Sequence, residues 1–270
     1  MRRNILTILQ SNQFDLKAEY SRLLDLFYEP FDGEISISEL VDKYFLRMNH
    51  NLIQRCTSLE DFDLTYKFRW ESSPRDFDVN YFLLFCEYIY NFSLELYNLK
   101  IKNAECYIDR LIKNVKECIS ILGYKEIYEE DKPSIFVENK PETVAVAEIV
   151  EPKLGYKVLE YNHHKLKGDI DKKKQILLMF ADELEPKRDM LKEIKSTVEN
   201  DLFFMLNNLN IRHNNVTESS KNYKKYVAEM DNKTLEEWYD ETYQLGLFAF
   251  LELDNVERKK RIEQLKKKVK

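Results

Sequence analysis

The sequence predicts a mainly α-helical protein, built as one or more helical bundles with one small β-hairpin insert. Apolar residues recur at intervals of three and four along most of the 270-residue chain, which places them on one face of a helix. Only five Gly and six Pro are present, too few for the many turns of a β-sandwich or barrel. A hydrophobic content of 44 % is enough to build a buried core.

Residues 1–122 form the predicted N-terminal helical region. Ser36 or Ser38 is placed to cap a helix, because a serine side chain accepts a hydrogen bond from the amides of a first helical turn. Two longer helices follow, with apolar residues at helical spacing over residues 81–99 and 104–122. The first of these carries an aromatic stripe, which at this spacing is typical of a core.

Residues 123–140 form the predicted β-hairpin connector. Gly123 is placed to end the preceding helix, and the pattern after it is that of short strands. The β-prone runs 126–129 and 134–137 are separated by the turn-like sequence Glu130-Asp-Lys-Pro133. Because an isolated two-stranded hairpin is only marginally stable, this one is expected to pack against a helix.

Residues 141–270 form the predicted C-terminal helical domain. Pro141 fits the first turn of a short helix, and a second helix is predicted over residues 152–167. Asp169 is placed to cap a third helix, which stops before Pro186.

The next helix has the clearest amphipathic pattern in the chain. Its apolar stripe consists of Met190, Ile194, Val198, Leu202 and Leu206. The sequence Thr234-Leu-Glu-Glu237 matches a capping box, so it predicts the start of a last helix that is rich in aromatic residues.

The charge of the chain is unevenly distributed. Residues 257–270 contain eight basic and two acidic residues, so the net charge of −6 divides into −12 for residues 1–256 and +6 for this basic tail. One interpretation is a solvated helix end whose cations suit the negative end of the helix dipole. The other is a phosphate-contacting tail, for which Arg258, Lys259 and Arg261 are the candidate RNA contacts. The acidic body argues against broad non-specific nucleic-acid binding.

Cysteine usage and hydropathy predict a cytoplasmic protein. The four cysteines have no C-x-x-C spacing, and three lie in apolar helical stretches. This pattern is typical of reduced cysteines that pack in a core. No apolar run approaches 18 residues, so no membrane partner is expected. The basic start of the chain, residues 1–10, lacks the long apolar region of a secretory signal.

The sequence predicts neither a cofactor nor a metal site. Walker, G-x-G-x-x-G, G-x-S-x-G and H-E-x-x-H motifs are absent. Glu160-x-x-His163 has the ligand spacing of di-iron bundles, but those sites need two copies and only one is present. His163 and His164 as a zinc pair are disfavoured, since adjacent residues on a helix point about 100° apart.

The chemically unusual segment is the cluster at residues 207–215, which is rich in asparagine and contains Arg212 and His213. Asparagine is a poor helix former that serves as a cap or as a specific donor and acceptor. Arginine supplies a fixed fork suited to phosphate, and histidine both takes and gives a proton near neutral pH. Together they can hold a phosphodiester and remove a 2′-hydroxyl proton without metal. The alternative is a polar helix end, in which the asparagines cap carbonyls, Arg212 pairs with a carboxylate and His213 makes a hydrogen bond.

The run Leu206-Asn-Asn-Leu-Asn-Ile-Arg-His-Asn-Asn215 resembles the Arg/His signature of HEPN domains, in the Ile-Arg-His form of abortive-infection-type proteins. The segments Val158–His163, Lys167-Gly-Asp169 and Leu184-Glu-Pro186 are similar in kind, so the resemblance covers about residues 141–256. It implies a compact helical bundle that dimerises, and in many members a metal-independent ribonuclease of a prokaryotic defence or toxin system.

The resemblance also implies roles for individual residues. Arg212 would position or stabilise the phosphate, His213 would be the acid/base and Asn214 the neighbouring polar residue. Apart from the resemblance, Asn210 and Asn215 are further candidate RNA contacts. In the family motif four to six residues usually separate the arginine from the histidine that follows it, whereas here the two are adjacent and no histidine follows His213. The implied partners are RNA, a second copy and a protein of a defence or toxin system. The alternative hypothesis is a non-catalytic helical protein-interaction module.

Overall fold

Two structural units, residues 1–136 and 137–270, make up the chain, and each has its own hydrophobic core. The computed structural model describes residues 14–31 and 33–269, so the prediction about residues 1–10 concerns residues outside the described part. Helices dominate both units and a single two-stranded sheet is present in the described part, which confirms the predicted fold class. The unit boundary falls inside the predicted 123–140 connector.

The first unit is helical up to the hairpin. Its helices are α1 Leu16–Tyr28, α2 Ile37–Tyr44, α3 His50–Ile53, α4 Leu59–Tyr66, α5 Val79–Asn98 and α6 Glu105–Ile121. Ser36, rather than Ser38, caps α2 in a capping box with Glu39. Gly123 follows α6 with a φ of +79°, the left-handed conformation in which glycine ends a helix at little cost.

The aromatic stripe of α5 lies in the core of the first unit, as predicted. Phe82 and Phe85 are 0 % exposed, and Phe92 is 1 % exposed. The rings of Tyr88 and Phe92 meet nearly edge to face with their centroids 5.0 Å apart, a geometry that adds to the burial of their area.

The predicted hairpin consists of β1 Tyr124–Ile127 and β2 Ile135–Glu138, paired in an antiparallel sheet. It is held on α5, as its small size requires. The Asn91 side chain accepts from the Ser134 amide at 2.8 Å and donates to the Ser134 carbonyl at 2.9 Å. The buried Glu87 carboxylate accepts from the Phe136 amide at 2.9 Å.

The second unit is a bundle of six helices within the described range. They are α7 Pro141–Ile149, α8 Pro152–Glu160, α9 Ile170–Leu184, α10 Arg188–Asn208, α11 Lys225–Ala228 and α12 Asn232–Val269. Pro141 occupies the first turn of α7, and the Asp169 side chain caps α9 by accepting from the Lys172 amide, both as predicted. None of the helices in the described ranges has the length and apolar content needed to cross a bilayer.

Two predicted helix boundaries in this unit are wrong. Helix α8 ends at Glu160 instead of near residue 167, because His163 is extended and forms an isolated antiparallel bridge with Val137. The two adjacent histidine rings, which we expected to point apart on a helix, therefore lie with centroids 4.5 Å apart. Helix α12 starts at Asn232, and its cap is Asp231, whose carboxylate accepts from the Thr234 amide at 2.8 Å.

Helix α10 contains a kink that divides its apolar stripe. Lys195 has non-helical dihedrals, φ −150° and ψ 75°. Beyond it, Leu202 and Leu206 are fully buried, whereas Met190, before the kink, is 46 % exposed and does not join the predicted stripe. The kink redirects the first turns of the helix.

Candidate functional site

The candidate site begins where α10 ends. Asn208 is the last helical residue, and Asn210 has a φ of +57°, a left-handed conformation that asparagine tolerates better than most residues. The Arg212 amide donates to the Leu206 carbonyl at 2.9 Å and so satisfies one of the last carbonyls of the helix. The asparagine-rich sequence therefore stops the helix and turns the chain back across its end.

Asn210 and Asn215 hold the resulting loop closed. The Asn210 amide donates to the Asn215 side-chain oxygen at 2.7 Å, and the Asn215 amide donates to the Asn210 side-chain oxygen at 3.3 Å. The Asn215 side chain also donates to the Asn222 carbonyl at 2.8 Å, and Asn215 is 0 % exposed. We therefore reassign Asn215 from the predicted RNA surface to the support of the loop, because a buried amide with these partners offers no surface to a ligand.

Asn214 organises the next turn. Its side-chain oxygen accepts from the Val216 and Thr217 amides at 3.2 and 3.0 Å, and its side-chain nitrogen donates to the Thr217 hydroxyl at 2.9 Å. This is the asparagine-to-backbone pattern of a turn, so the predicted polar neighbour of the site has a local structural role.

Arg212 is held by side chains of its own unit. One guanidinium nitrogen, Nη1, lies 2.5 Å from the Glu185 carboxylate and donates to the Asn207 side-chain oxygen at 3.4 Å. The Arg212 side chain is 26 % exposed and that of Glu185 41 %, so the ion pair remains in contact with solvent. Among the described residues only Nη1 of the Arg212 guanidinium has a partner, so its other donors stay available.

Glu185 also belongs to a wider charge network that sequence reasoning missed. Its second carboxylate oxygen lies 3.9 Å from Arg188, and Arg188 Nε lies 2.5 Å from the carboxylate of Glu199. The Glu199 side chain is 2 % exposed, while that of Arg188 is 40 % exposed and lies over the Phe203 ring at 4.3 Å. Two arginines and two glutamates thus alternate along one side of the site. The i,i+3 spacing of Glu185 and Arg188 is a local sequence signal for one link. The Arg188–Glu199 and Arg212–Glu185 links join residues 11 and 27 positions apart, at separations that local spacing does not predict.

His213 is exposed and follows Arg212 directly. Within residues 14–31 and 33–269, no hydrogen bond or ion pair engages its imidazole. The cluster therefore combines an anchored guanidinium with an accessible imidazole on a loop that its asparagines fix.

The basic tail lies far from this cluster within one chain. Thr242 of α12 contacts Met205 near the end of α10, with 3.6 Å between its hydroxyl and the sulfur. Arg258 is 16 residues further along α12, which corresponds to about 24 Å at 1.5 Å per residue. Arg258, Lys259 and Arg261 are exposed, and Arg258 pairs with Asp254 one turn earlier. The structure does not bring the two predicted RNA-contacting groups together.

A second polar cluster that the sequence did not predict connects α9 to α12. The Lys173 side chain, only 7 % exposed, pairs with Glu236 at 2.7 Å and with Asp240 at 2.6 Å. Tyr161 donates to Asp240 at 2.9 Å, and burial, followed by the negative charge of Asp240, raises the pKa of this hydroxyl. Burial tends to raise the pKa of Glu236, but the Gly168 amide and the Lys173 ammonium outweigh it and hold that pKa below its usual value. The cluster is fully engaged in joining helices.

We compared the chain with models of protein families, with curated proteins and with solved structures, and none of the three comparisons found a match.

Proposed function

We propose that this chain is a cytosolic HEPN-like protein of prokaryotic defence type that binds RNA at residues 207–215 and cleaves it without metal. The observation that carries the proposal is the pairing of an accessible imidazole, His213, with the anchored guanidinium of Arg212 at a rigid helix end. Rigid presentation matters because a catalytic group is effective only when it is held close to the reacting atoms.

The residue types define a reaction. The neutral His213 imidazole takes the proton of a ribose 2′-hydroxyl, and that oxygen forms a bond to the adjacent phosphorus. The bond from phosphorus to the 5′-oxygen breaks, and the leaving oxygen takes a proton from water. Arg212 stabilises the additional negative charge on the phosphate through the donors that Glu185 does not use. The products are a 2′,3′-cyclic phosphate and a 5′-hydroxyl.

The test is cleavage of labelled single-stranded RNA by the purified chain in excess EDTA. His213→Ala and Arg212→Ala are expected to lower the rate by about 10²-fold or more each. His50→Ala and Arg55→Ala replace an exposed histidine and an exposed arginine in the first unit, so they are matched controls and are expected to keep full activity. Equal cleavage by all four variants contradicts the proposal, and so does the absence of any cleavage product from the unaltered chain.

A second candidate is a non-catalytic helical interaction module, and the Arg212–Glu185 ion pair favours it, since it engages the guanidinium within the unit. Under this hypothesis His213→Ala changes nothing, whereas Arg212→Ala and Glu185→Ala each lower the stability by a similar small amount and together by little more. Thermal unfolding of the three single variants and of the Arg212→Ala/Glu185→Ala double variant, measured beside the RNA assay, separates the two hypotheses.

A further inference from the structure

Helix α12 is divided into an acidic and a basic part. Residues 234–256 contain six acidic residues and no Lys or Arg, whereas residues 257–270 contain eight basic and two acidic residues. The described side chains from residue 257 onward are all exposed, so they extend beyond the packed part of the second unit as an unpartnered helix. An unpartnered helix of this length presents a binding surface rather than a folded core.

One apolar edge of α12 runs through both parts. Phe248, Ile262 and Val269 follow one another at intervals of fourteen and seven residues. Leu251 lies three residues after Phe248, and Leu265 three residues after Ile262. This is the a and d spacing of a two-helix seam, with Asn255 and Arg258 at its central positions. Phe248 is 43 % exposed, and the three apolar residues of the basic tail are exposed by 44 % at Ile262, 59 % at Leu265 and 78 % at Val269.

The acidic part of the seam borders an apolar groove. The groove has a volume of about 540 Å³ between α10 and α12, and its walls include Phe204, Trp238, Leu245 and Phe248. Phe204 is 64 % exposed and Trp238 42 %. Asp201 and Glu241 also line it, so a basic amphipathic helix is the occupant that complements both its apolar surface and its charge.

We propose that two copies of this chain pair through α12 in antiparallel orientation, so that the basic tail of each copy lies along residues 243–256 of the other and covers the end of the groove at Gln244, Leu245 and Phe248. In antiparallel helices, an a residue of one copy packs against a d residue of the other, and their numbers add to a constant. When the residue numbers in each layer add to about 513, Phe248 of one copy packs against Leu265 of the other, and Leu251 packs against Ile262. The two-fold axis then passes between Val256 and Glu257, where the sign of the charge changes.

The residues that flank the seam have complementary charges in this register. Glu252 of one copy faces Lys259 of the other, and Asp254 faces Arg261, because these positions flank the same layers of the seam. A parallel pair would instead place each basic tail against the other tail, so the charges select the antiparallel arrangement. The inference uses no residue of the 207–215 cluster and does not depend on ribonuclease activity.

The experiment measures the mass of the full chain by sedimentation over a range of concentrations. Glu252→Lys with Asp254→Arg, and separately Lys259→Glu with Arg261→Asp, are each expected to raise the dissociation constant of the dimer by about tenfold or more. All four substitutions together restore the opposite charges and are expected to restore the dimer.

Lys260→Glu with Lys267→Glu is the matched control for the tail variant. It makes the same change in net charge on the same helix, outside the seam, and is expected to leave the dimer intact. Helix content measured by circular dichroism verifies that every variant is folded.

Three results overturn the proposal. A monomeric unaltered chain at all concentrations is the first, and a failure of the combined four substitutions to restore the dimer is the second. The third is a loss of single-stranded RNA binding by the tail variant with the mass unchanged, which assigns the tail to a phosphate backbone. His213→Ala in the same assay keeps the dimer whether or not the chain cleaves RNA.

Discussion

Replacing Arg188 by Met is expected to destabilise the second unit by about 2–3 kcal/mol, because the substitution leaves the Glu199 carboxylate buried without its partner. Breaking a buried ion pair typically costs about 3–5 kcal/mol, and the lower value applies here since Arg188 is 40 % exposed and partly screened by water. The lost contact with the Phe203 ring contributes about 0.5–1 kcal/mol of this.

A double-mutant cycle separates the ion pair from the packing. Arg188→Met combined with Glu199→Leu removes both charges and is expected to be close to the unaltered chain in stability, because well-packed apolar residues commonly replace a buried pair without loss. Lys192→Met, on the exposed side of α10, is the matched control and is expected to change the stability by no more than about 0.5 kcal/mol.

The assay is urea unfolding followed by tryptophan fluorescence. The chain has two tryptophans, Trp70 in the first unit and Trp238 in the second, so a Trp70→Phe background makes the signal specific to the second unit. If Arg188→Met unfolds at the same urea concentration as Lys192→Met, the Glu199 carboxylate does not depend on its arginine and the reasoning is refuted.

Two further predictions concern pH and packing. Burial raises the pKa of Asp63 from 3.8 to about 6, against the opposing hydrogen bond from Tyr88. Because the pKa of Asp63 is higher in the folded state than in the unfolded state, the protonated carboxyl group favours folding. Its contribution to the stability of the first unit is complete below about pH 4 and is lost as the pH rises through about 6. Asp63→Asn is therefore expected to stabilise the first unit by about 1–2 kcal/mol at pH 8 and to flatten its pH profile in urea titrations. Asp25→Asn, at an exposed position of α1, is the control and keeps the slope. A Cβ on Gly246 would lie 2.5 Å from the Phe180 ring, so Gly246→Ala is expected to destabilise the second unit by about 1–3 kcal/mol in thermal unfolding. Adding Phe180→Leu should recover part of that loss, and equal stability of Gly246→Ala and the unaltered chain would show that the helices separate easily.

The proposed pairing of α12 and the proposed RNA site make separate demands on the chain. The first uses the exposed seam of one long helix, and the second uses a loop at the end of another. A chain that dimerises without cleaving RNA would support the interaction-module hypothesis, and one that cleaves as a monomer would keep the reaction while removing the proposed interface.

The sequence by itself determined the features that depend on neighbours in the chain. Asp169 caps its helix by accepting from an amide of the same turn, and Pro141 fits a first turn because that turn needs no amide from it. For α2 the sequence left Ser36 and Ser38 as alternatives, and the structure selects Ser36. The aromatic stripe of α5 and the position of the hairpin follow from the apolar period, which is also local.

Only the tertiary structure decided features that depend on residues distant in sequence. Helix α8 ends at Glu160 because His163 bridges to Val137, a partner from another part of the unit. Arg212 pairs with Glu185, and Asn215 is buried, although both residues look accessible in an asparagine-rich sequence. Local propensities fix which segments are helical, whereas the free energy of burying charges and amides is set by whichever groups the completed fold places beside them.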